Sequence, residues 1–277
     1  MTCNAEKREL KLMKGEGNTS QQSLFNKKRI QKHSRFIADL GVNTERSGLH
    51  SPTVSIIIPA FNEEKTVANV IAETITVMNQ QNLPYEIIFV DDGSTDKTGL
   101  IASFFKVNVL INKTNRGKGY SMKRALHHAI GDIIVTIDSD GEHKPKEITP
   151  LLEAVLNGFD VAVGSRFLNN QTAVTTKLNQ IGNIFFNLTI MSLTGKRLTD
   201  SQTGFRVIKR EVIEELNLQS DGYEIEAEIT IKSLKNGFTF KELPITVERR
   251  KFGISKLNMI KDGKKIIKTI LTTSFSN

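Results

Sequence analysis

Between Val54 and Arg166, five short apolar runs recur: "TVSIIIP", "EIIFV", "VNVLI", "DIIVTID" and "DVAVGSR". They are rich in β-branched residues and do not alternate with polar ones. A strand apolar at successive positions has both faces buried. In the intervals, apolar residues return at helical spacing. Val67, Val70, Ile71, Ile75 and Met78 follow the first run, a helix is expected from near Thr95 after the second, and "KGYSMKRALHHAI" precedes the fourth. Pro145 stands where another helix would start, running to about Asn157. Strands alternating with helices of roughly 10–15 residues form βαβ units. The chain is therefore expected to be α/β, with a mostly parallel central sheet flanked by helices.

Ligands of such sheets bind beyond the carboxyl ends of strands, where the strand order reverses. The loops at those ends are "AFNEE", "DDGSTD", "NKTNRGKG", "DSDGEH" and "GSRF". The fourth crowds Asp138, Asp140 and Glu142 into five positions. Like charges about 4 Å apart repel by ~1 kcal/mol in bulk water and by ~4 kcal/mol at an effective dielectric near 20. The cluster is tolerable as a solvated turn, or with a cation bound. Hard oxygen ligands suit Mg²⁺ or Mn²⁺, which are held by one or two carboxylates plus substrate phosphates.

"DDGSTD" ends a strand in adjacent acids, Asp91 and Asp92. Gly93 permits a sharp turn, and Ser94 or Thr95 can cap the next helix. One acid can accept from a nucleobase N–H or a ribose hydroxyl. In "PAFNEE", Phe61 can stack on a base and Glu63 can bond a ribose or base edge. Equally, Asn62 can cap a helix with Glu63 and Glu64 in its first turn.

"IIIPAFNEE", "VDDGSTDKT", "NRGKG", "DSDGEH", "GSRF", "TGFR" and "RKFGISKL" stand in one order from about Val54 to Leu257. The ordered set resembles the family 2 glycosyltransferases of the nucleotide-diphospho-sugar (GT-A) fold, and most of all the dolichol- and polyprenyl-phosphate sugar transferases. The resemblance implies nucleotide contacts from Pro59, Phe61, Glu63, Val90 and Asp92, with Ser139 backing the nucleotide. It implies Asp138 and Asp140 for metal and diphosphate, Glu142 as a further metal ligand, and Arg166, Arg250 and Lys256 for donor and acceptor phosphates. Asp140, Arg166 and Arg250 are then the catalytic candidates. Phe61 stands where these relatives usually have Tyr, and Glu142 where they often have Gln. Lys177 and Gln180 occupy the neighbourhood in which they often place an Arg and a Ser.

Three segments follow from these patterns. Residues 1–52 are polar and weakly periodic, with a short helix possible around Leu24–Leu40, and carry +5 of the net charge of +8. They are expected to be a basic, flexible extension. Residues 53–257 form the catalytic domain. Residues 258–277 set Ile260, Ile266, Ile267, Ile270 and Leu271 among four lysines, as a basic amphipathic helix that either lies on a membrane surface or packs on the domain. Cys3 is the only cysteine, so no intramolecular disulfide can form. No signal peptide or membrane-spanning run is evident. The expected location is cytoplasmic and peripheral, at the cytoplasmic face of a membrane, with a membrane partner protein an option.

The implied reaction is metal-dependent, inverting transfer of a sugar from a GDP- or UDP-sugar to a polyprenyl or dolichyl phosphate. A hydroxyl acceptor on a polysaccharide or protein would instead need a base, for which Asp200 and Glu226 are the candidates. A sugar nucleotidyltransferase would open with a Gly-rich loop that "PAFNEE" lacks. Nucleic-acid binding, suggested by the basic tail, is opposed by the acids lining the expected cleft.

Overall fold

The computed structural model describes residues 53–168, 177–253, 256 and 258–275. The expectations for residues 1–52, including the Leu24–Leu40 helix, lie outside the described residues, as do Ile254, Ser255 and Leu257 of "RKFGISKL".

Seven strands form one sheet in the order β3-β2-β1-β4-β6-β5-β7. They are β1 (Val54–Ala60), β2 (Tyr85–Asp91), β3 (Asn108–Ile111), β4 (Ile133–Thr136), β5 (Val161–Ser165), β6 (Arg206–Lys209) and β7 (Phe240–Pro244). β1 pairs in parallel with β2 on one side and β4 on the other, and β2 with β3. β6 lies antiparallel between β4 and β5, pairing Thr136 with Arg206 and Val163 with Arg206. The sheet is thus mixed, and the antiparallel insertion brings "TGFR" beside the end of β4.

Both faces of the sheet are buried at its centre, which is why β1 is apolar without alternation, whereas the edge strand β3 ("VNVLI" in the sequence) is not buried on both faces as its apolar run suggested, and Ile111 is exposed. Ile56 and Ile58 pack with helices α1 (Val67–Asn79) and α4 (Ile148–Leu156), in a cluster with Val70, Leu151 and Phe205. Ile57 points the other way, toward α3 (Lys118–His128), α6 (Arg210–Leu216) and α7 (Ile225–Lys235), with Met122, Ile213 and Ile229. A third cluster, with Ile190, Ala227, Ile231, Ile266 and Ile270, joins α5 (Lys177–Thr194), α7 and α8 (Met259–Phe275). α8 therefore packs on the domain, with Lys261, Lys264, Lys265 and Lys268 exposed.

Two local expectations change. The helix after β2, α2, is only Thr98–Ala102 and starts past Thr95. The residues before it are used otherwise: the Asn62 N–H donates to Ser94 Oγ at 2.9 Å, and the Thr95 N–H donates to Asn62 Oδ1 at 2.8 Å. Asn62 is not a helix cap but a clip between two loops, with φ at +55°. Before α4, Pro145 opens a single 3₁₀ turn, Pro145–Glu147.

Candidate active site

β1 runs to β2 on one side and is flanked by β4 on the other, so chain connections diverge at its carboxyl end. A cavity of ≈ 680 Å³ opens there, a volume suited to a drug-sized or larger ligand. Pro59, Phe61, Glu63, Asp92, Asp138, Ser139, Asp140, Arg250 and Lys256 all line it. Nine of the residues singled out from sequence therefore converge. Val90 does not: its side chain is fully buried in the core beside Ile88 and Met122. Arg166 and Glu142 are not among the residues that line it.

The loop after β4 is held from two sides. Ser139 Oγ donates to the Pro59 carbonyl at 2.9 Å, and Thr66 Oγ1 donates to the Ser139 carbonyl at 2.8 Å. The Glu142 N–H donates to Asp140 Oδ1 at 3.0 Å, closing the turn. Asp138 and Asp140 are thereby fixed at the cavity wall, and each meets a cation. Lys118 Nζ lies 2.5 Å from Asp138 and 2.9 Å from Glu226. Burial would raise the Asp138 carboxyl, but Lys118 above all, helped by His143 and Arg166, brings it below the usual carboxylate range. Burial would also discharge Lys118, and the two carboxylates reverse that and hold it firmly protonated.

Arg250 faces the other acids. Its Nη2 is 2.8 Å from Asp140 and 3.1 Å from Glu63, and its Nε is 3.5 Å from Glu142. Glu63 is nonetheless raised, chiefly by burial. Burial, and then the charge of Asp140, push Glu142 up to about 7. Negative charge is thus in excess around this turn. Its donors are hard oxygens, the chemistry that Mg²⁺ and Mn²⁺ take. Among the described residues no three such ligands already converge as a metal site. Arg250 lies among Glu63, Asp140 and Glu142, and Lys118 against Asp138, so each carboxylate of the acid loop already faces a cation and their hard oxygens fit a divalent ion.

Asp92 is committed to its own loop. It accepts from Asn112 Nδ2 at 2.6 Å and from the Arg116 and Gly117 N–H groups at 3.0 and 2.8 Å. It therefore shapes the "NRGKG" wall of the cavity. Gly93 has no alternative residue: its φ is +74°, and a Cβ would come within 2.5 Å of the Thr114 carbonyl carbon. Arg166 is locked to Asp200 by two bonds, Nε to Oδ2 at 2.7 Å and Nη2 to Oδ1 at 2.8 Å. His143 is buried against Phe205, with ring centroids 5.4 Å apart, 3.8 Å from Asp138, and burial lowers its pKa.

Sequence reasoning missed Lys118, Tyr223, Lys261 and Lys265 as cavity-lining groups. The lysine of "NRGKG" was the available signal. The α8 lysines were assigned to solvent or lipid because nothing in the helix's own pattern says that its first turns border a cavity.

Comparison with known proteins bears on family and fold. The glycosyl transferase family 2 profile matches residues 55–217. The chain is 33% identical to an uncharacterized protein of Methanocaldococcus jannaschii, over 84% of this chain and 97% of that one. It is 30% identical to the polyprenol monophosphomannose synthase of Mycolicibacterium smegmatis, over 73% of this chain and 80% of that one. Among solved structures it superposes on glucosyl-3-phosphoglycerate synthase of Mycobacterium tuberculosis, crystallised with Mn²⁺, UDP and phosphoglyceric acid. The TM-score is 0.65 at 22% identity, covering 82% of this chain and 80% of that one. The chain belongs to glycosyl transferase family 2 and is a glycosyltransferase with the GT-A fold.

Proposed function

We propose that the chain transfers a sugar, with inversion, from a GDP- or UDP-sugar to a polyprenyl or dolichyl phosphate at a membrane surface, using Mg²⁺ or Mn²⁺. One observation carries the choice of acceptor. Both carboxylates offered as proton acceptors for a hydroxyl are consumed. Asp200 is fully buried in its two bonds to Arg166, and Glu226 is buried between Lys118 and Arg206, 2.9 and 3.0 Å away. A phosphate monoester needs no base, because its second pKa of roughly 6 leaves it largely ionised at neutral pH. The name of the M. smegmatis relative supports the same class of acceptor.

In this reading Asp138, Asp140 and Glu142 would hold the divalent ion. When bound, the ion neutralises charge on the diphosphate leaving group. Phe61 stacks on the base, with Lys256 Nζ 5.8 Å above its ring centroid. Glu63 and Asp92 border the nucleoside, and Ser139 fixes the floor beneath it. Arg250 and Lys256 grip phosphate oxygens; Arg suits bidentate phosphate binding. Arg166, held in one orientation by Asp200, sets the acceptor in line with the anomeric carbon.

The test is transfer of labelled sugar from GDP- and UDP-donors to polyprenyl phosphate, against soluble hydroxyl acceptors, with Mn²⁺ or Mg²⁺. Label is expected in the organic phase. Label that stays in water with the polyprenyl phosphate, but moves to a hydroxyl acceptor, would overturn the acceptor assignment. Asp140→Ala is expected to abolish metal-dependent turnover while the melting curve stays cooperative. Full turnover in that variant across a metal titration would remove the metal role.

A further inference from the structure

His143 follows Glu142 in the acid loop and is 5% exposed. Among the described residues neither of its ring nitrogens has a hydrogen-bond partner. A neutral imidazole carries one N–H donor and one acceptor, and buried polar groups are normally paired. The packing around the ring does not call for nitrogen. Its neighbour is the Phe205 ring, with centroids 5.4 Å apart and planes tilted by 39°, a contact that a phenyl ring makes equally well. An unpaired buried polar group lowers stability, so packing alone favours Phe at this position.

The backbone places the ring without help from its nitrogens. His143 forms an antiparallel bridge with Val247, and the Glu248 N–H donates to the Glu142 carbonyl at 3.0 Å. Lys144 continues this seam with an ion pair to Glu248 at 2.9 Å. What the nitrogens face is Asp138. Nδ1 is 3.8 Å from Asp138 Oδ2, too long for a hydrogen bond, while Lys118 Nζ grips Oδ1 at 2.5 Å. The carboxylate therefore has a cation on one oxygen and an idle imidazole beside the other.

We propose that His143 is a positioning residue for Asp138: in the ion-loaded protein its Nδ1–H hydrogen-bonds Asp138 Oδ2 and so fixes which lone pairs of that carboxylate face the cavity. The proposal rests on the divalent-ion reading above. A gap of about 1 Å has to close, which a small turn of the ring or of the carboxylate supplies. A carboxylate has about four lone-pair sites, and a partner on each oxygen leaves the remaining ones aimed at the ion. Hydrogen bonds that orient a metal-binding group are worth about 10–100-fold in metal affinity or activity. The imidazole is thus a group that weakens the empty core and orders the loaded site.

The test uses the full chain, Mn²⁺ alone as the probe, and two variants with opposite deficits. His143→Phe keeps the contact with Phe205 and removes both nitrogens. His143→Asn gives up the ring, but its amide Nδ2 stands where Nδ1 stood and can donate. Stability is read as the melting temperature in chelator, and Mn²⁺ affinity by electron paramagnetic resonance of the free ion. His143→Phe is expected to melt at or above the wild-type temperature and to bind Mn²⁺ about tenfold more weakly. His143→Asn is expected to melt below His143→Phe and yet to bind Mn²⁺ more tightly than it does. A side chain that served packing only would rank the two variants the same way in both measurements. Mn²⁺ binding by His143→Phe equal to wild type would overturn the proposal, as would His143→Asn binding no better than His143→Phe. So would a His143→Phe protein that melts below wild type, because the ring nitrogens would then have partners in the empty fold. Failure of the divalent-ion reading looks different: wild type and both variants then leave Mn²⁺ equally free, and the role of His143 falls with it.

Discussion

Lys118 shows how one side chain ties the cavity to the core. It joins Asp138 at the cavity wall to Glu226, and Glu226 in turn meets the fully buried Arg206. Gly204 makes room for the contact, since a Cβ there would strike Lys118 Nζ and approach the Asp138 carboxylate to 2.8 Å. Removing one partner of a buried pair leaves an uncompensated charge and costs about 3 kcal/mol or more. Lys118→Met is therefore expected to lower the urea midpoint by an amount worth about 3 kcal/mol. A midpoint within error of wild type would mean that water screens this pair. Asp138, Asp140 and Phe61 were legible from sequence because residue type and position after a strand define them. Lys118 was not, because its partners come from the loop after β4 and from α7, 20 and 108 positions further along the chain.

At the scale of elements, apolar continuity announced β1, β2, β4 and β5, and helical spacing announced α1, α3 and α4. β6 was expected as a strand, but its direction was not readable: "RVIK" is equally apolar parallel or antiparallel. α7 illustrates a stabilising device that only the fold discloses. Glu228, on its buried side, accepts from the Gln219 and Ser220 N–H groups at 2.9 and 2.8 Å and from Lys232 Nζ at 2.6 Å. Burial opposes its ionisation, but these bonds outweigh burial and set its pKa below the usual 4.5. A carboxylate depressed in the folded state stabilises fully above its unfolded pKa, and that stability is lost as pH falls through the folded value. Glu228→Gln should lower stability near neutral pH and flatten the acid limb of the stability curve below 4.5. An acid limb of unchanged slope would show that other groups set it. On α5, Asn187 Oδ1 accepts from the buried Ser201 N–H at 3.0 Å. Asn187→Ala would strand that donor, a loss of about 1–3 kcal/mol measurable as a lower unfolding midpoint.

Across the whole molecule, the cavity is assembled from loops after β1, β2 and β4, from "NRGKG", from the Tyr223 region and from the start of α8. Arg250 spans it by bridging Glu63, Asp140 and Glu142. Without Arg250 those carboxylates repel one another, and a divalent ion has more to neutralise. Arg250→Ala is thus expected to melt lower than wild type in chelator and to gain more melting temperature from Mn²⁺ alone. Ligand that binds only the folded state raises its stability in this way. An equal gain in both proteins would separate Arg250 from the cation site. Among the described residues no helix is long and apolar enough to cross a membrane.

The amino-acid sequence by itself determined the alternation of strands and helices, the loops that carry acids and the family, because those depend on local spacing and on residues within a few positions of each other. The tertiary structure alone decided that Asp200 and Glu226 are spent in ion pairs, that Lys118 and Arg250 face the acid loop, and that α5 turns Asn183 and Asn187 inward and Ile181, Ile184 and Phe185 out. These are pairings between segments far apart in the chain, and their energies depend on distance and burial, quantities that no local pattern records.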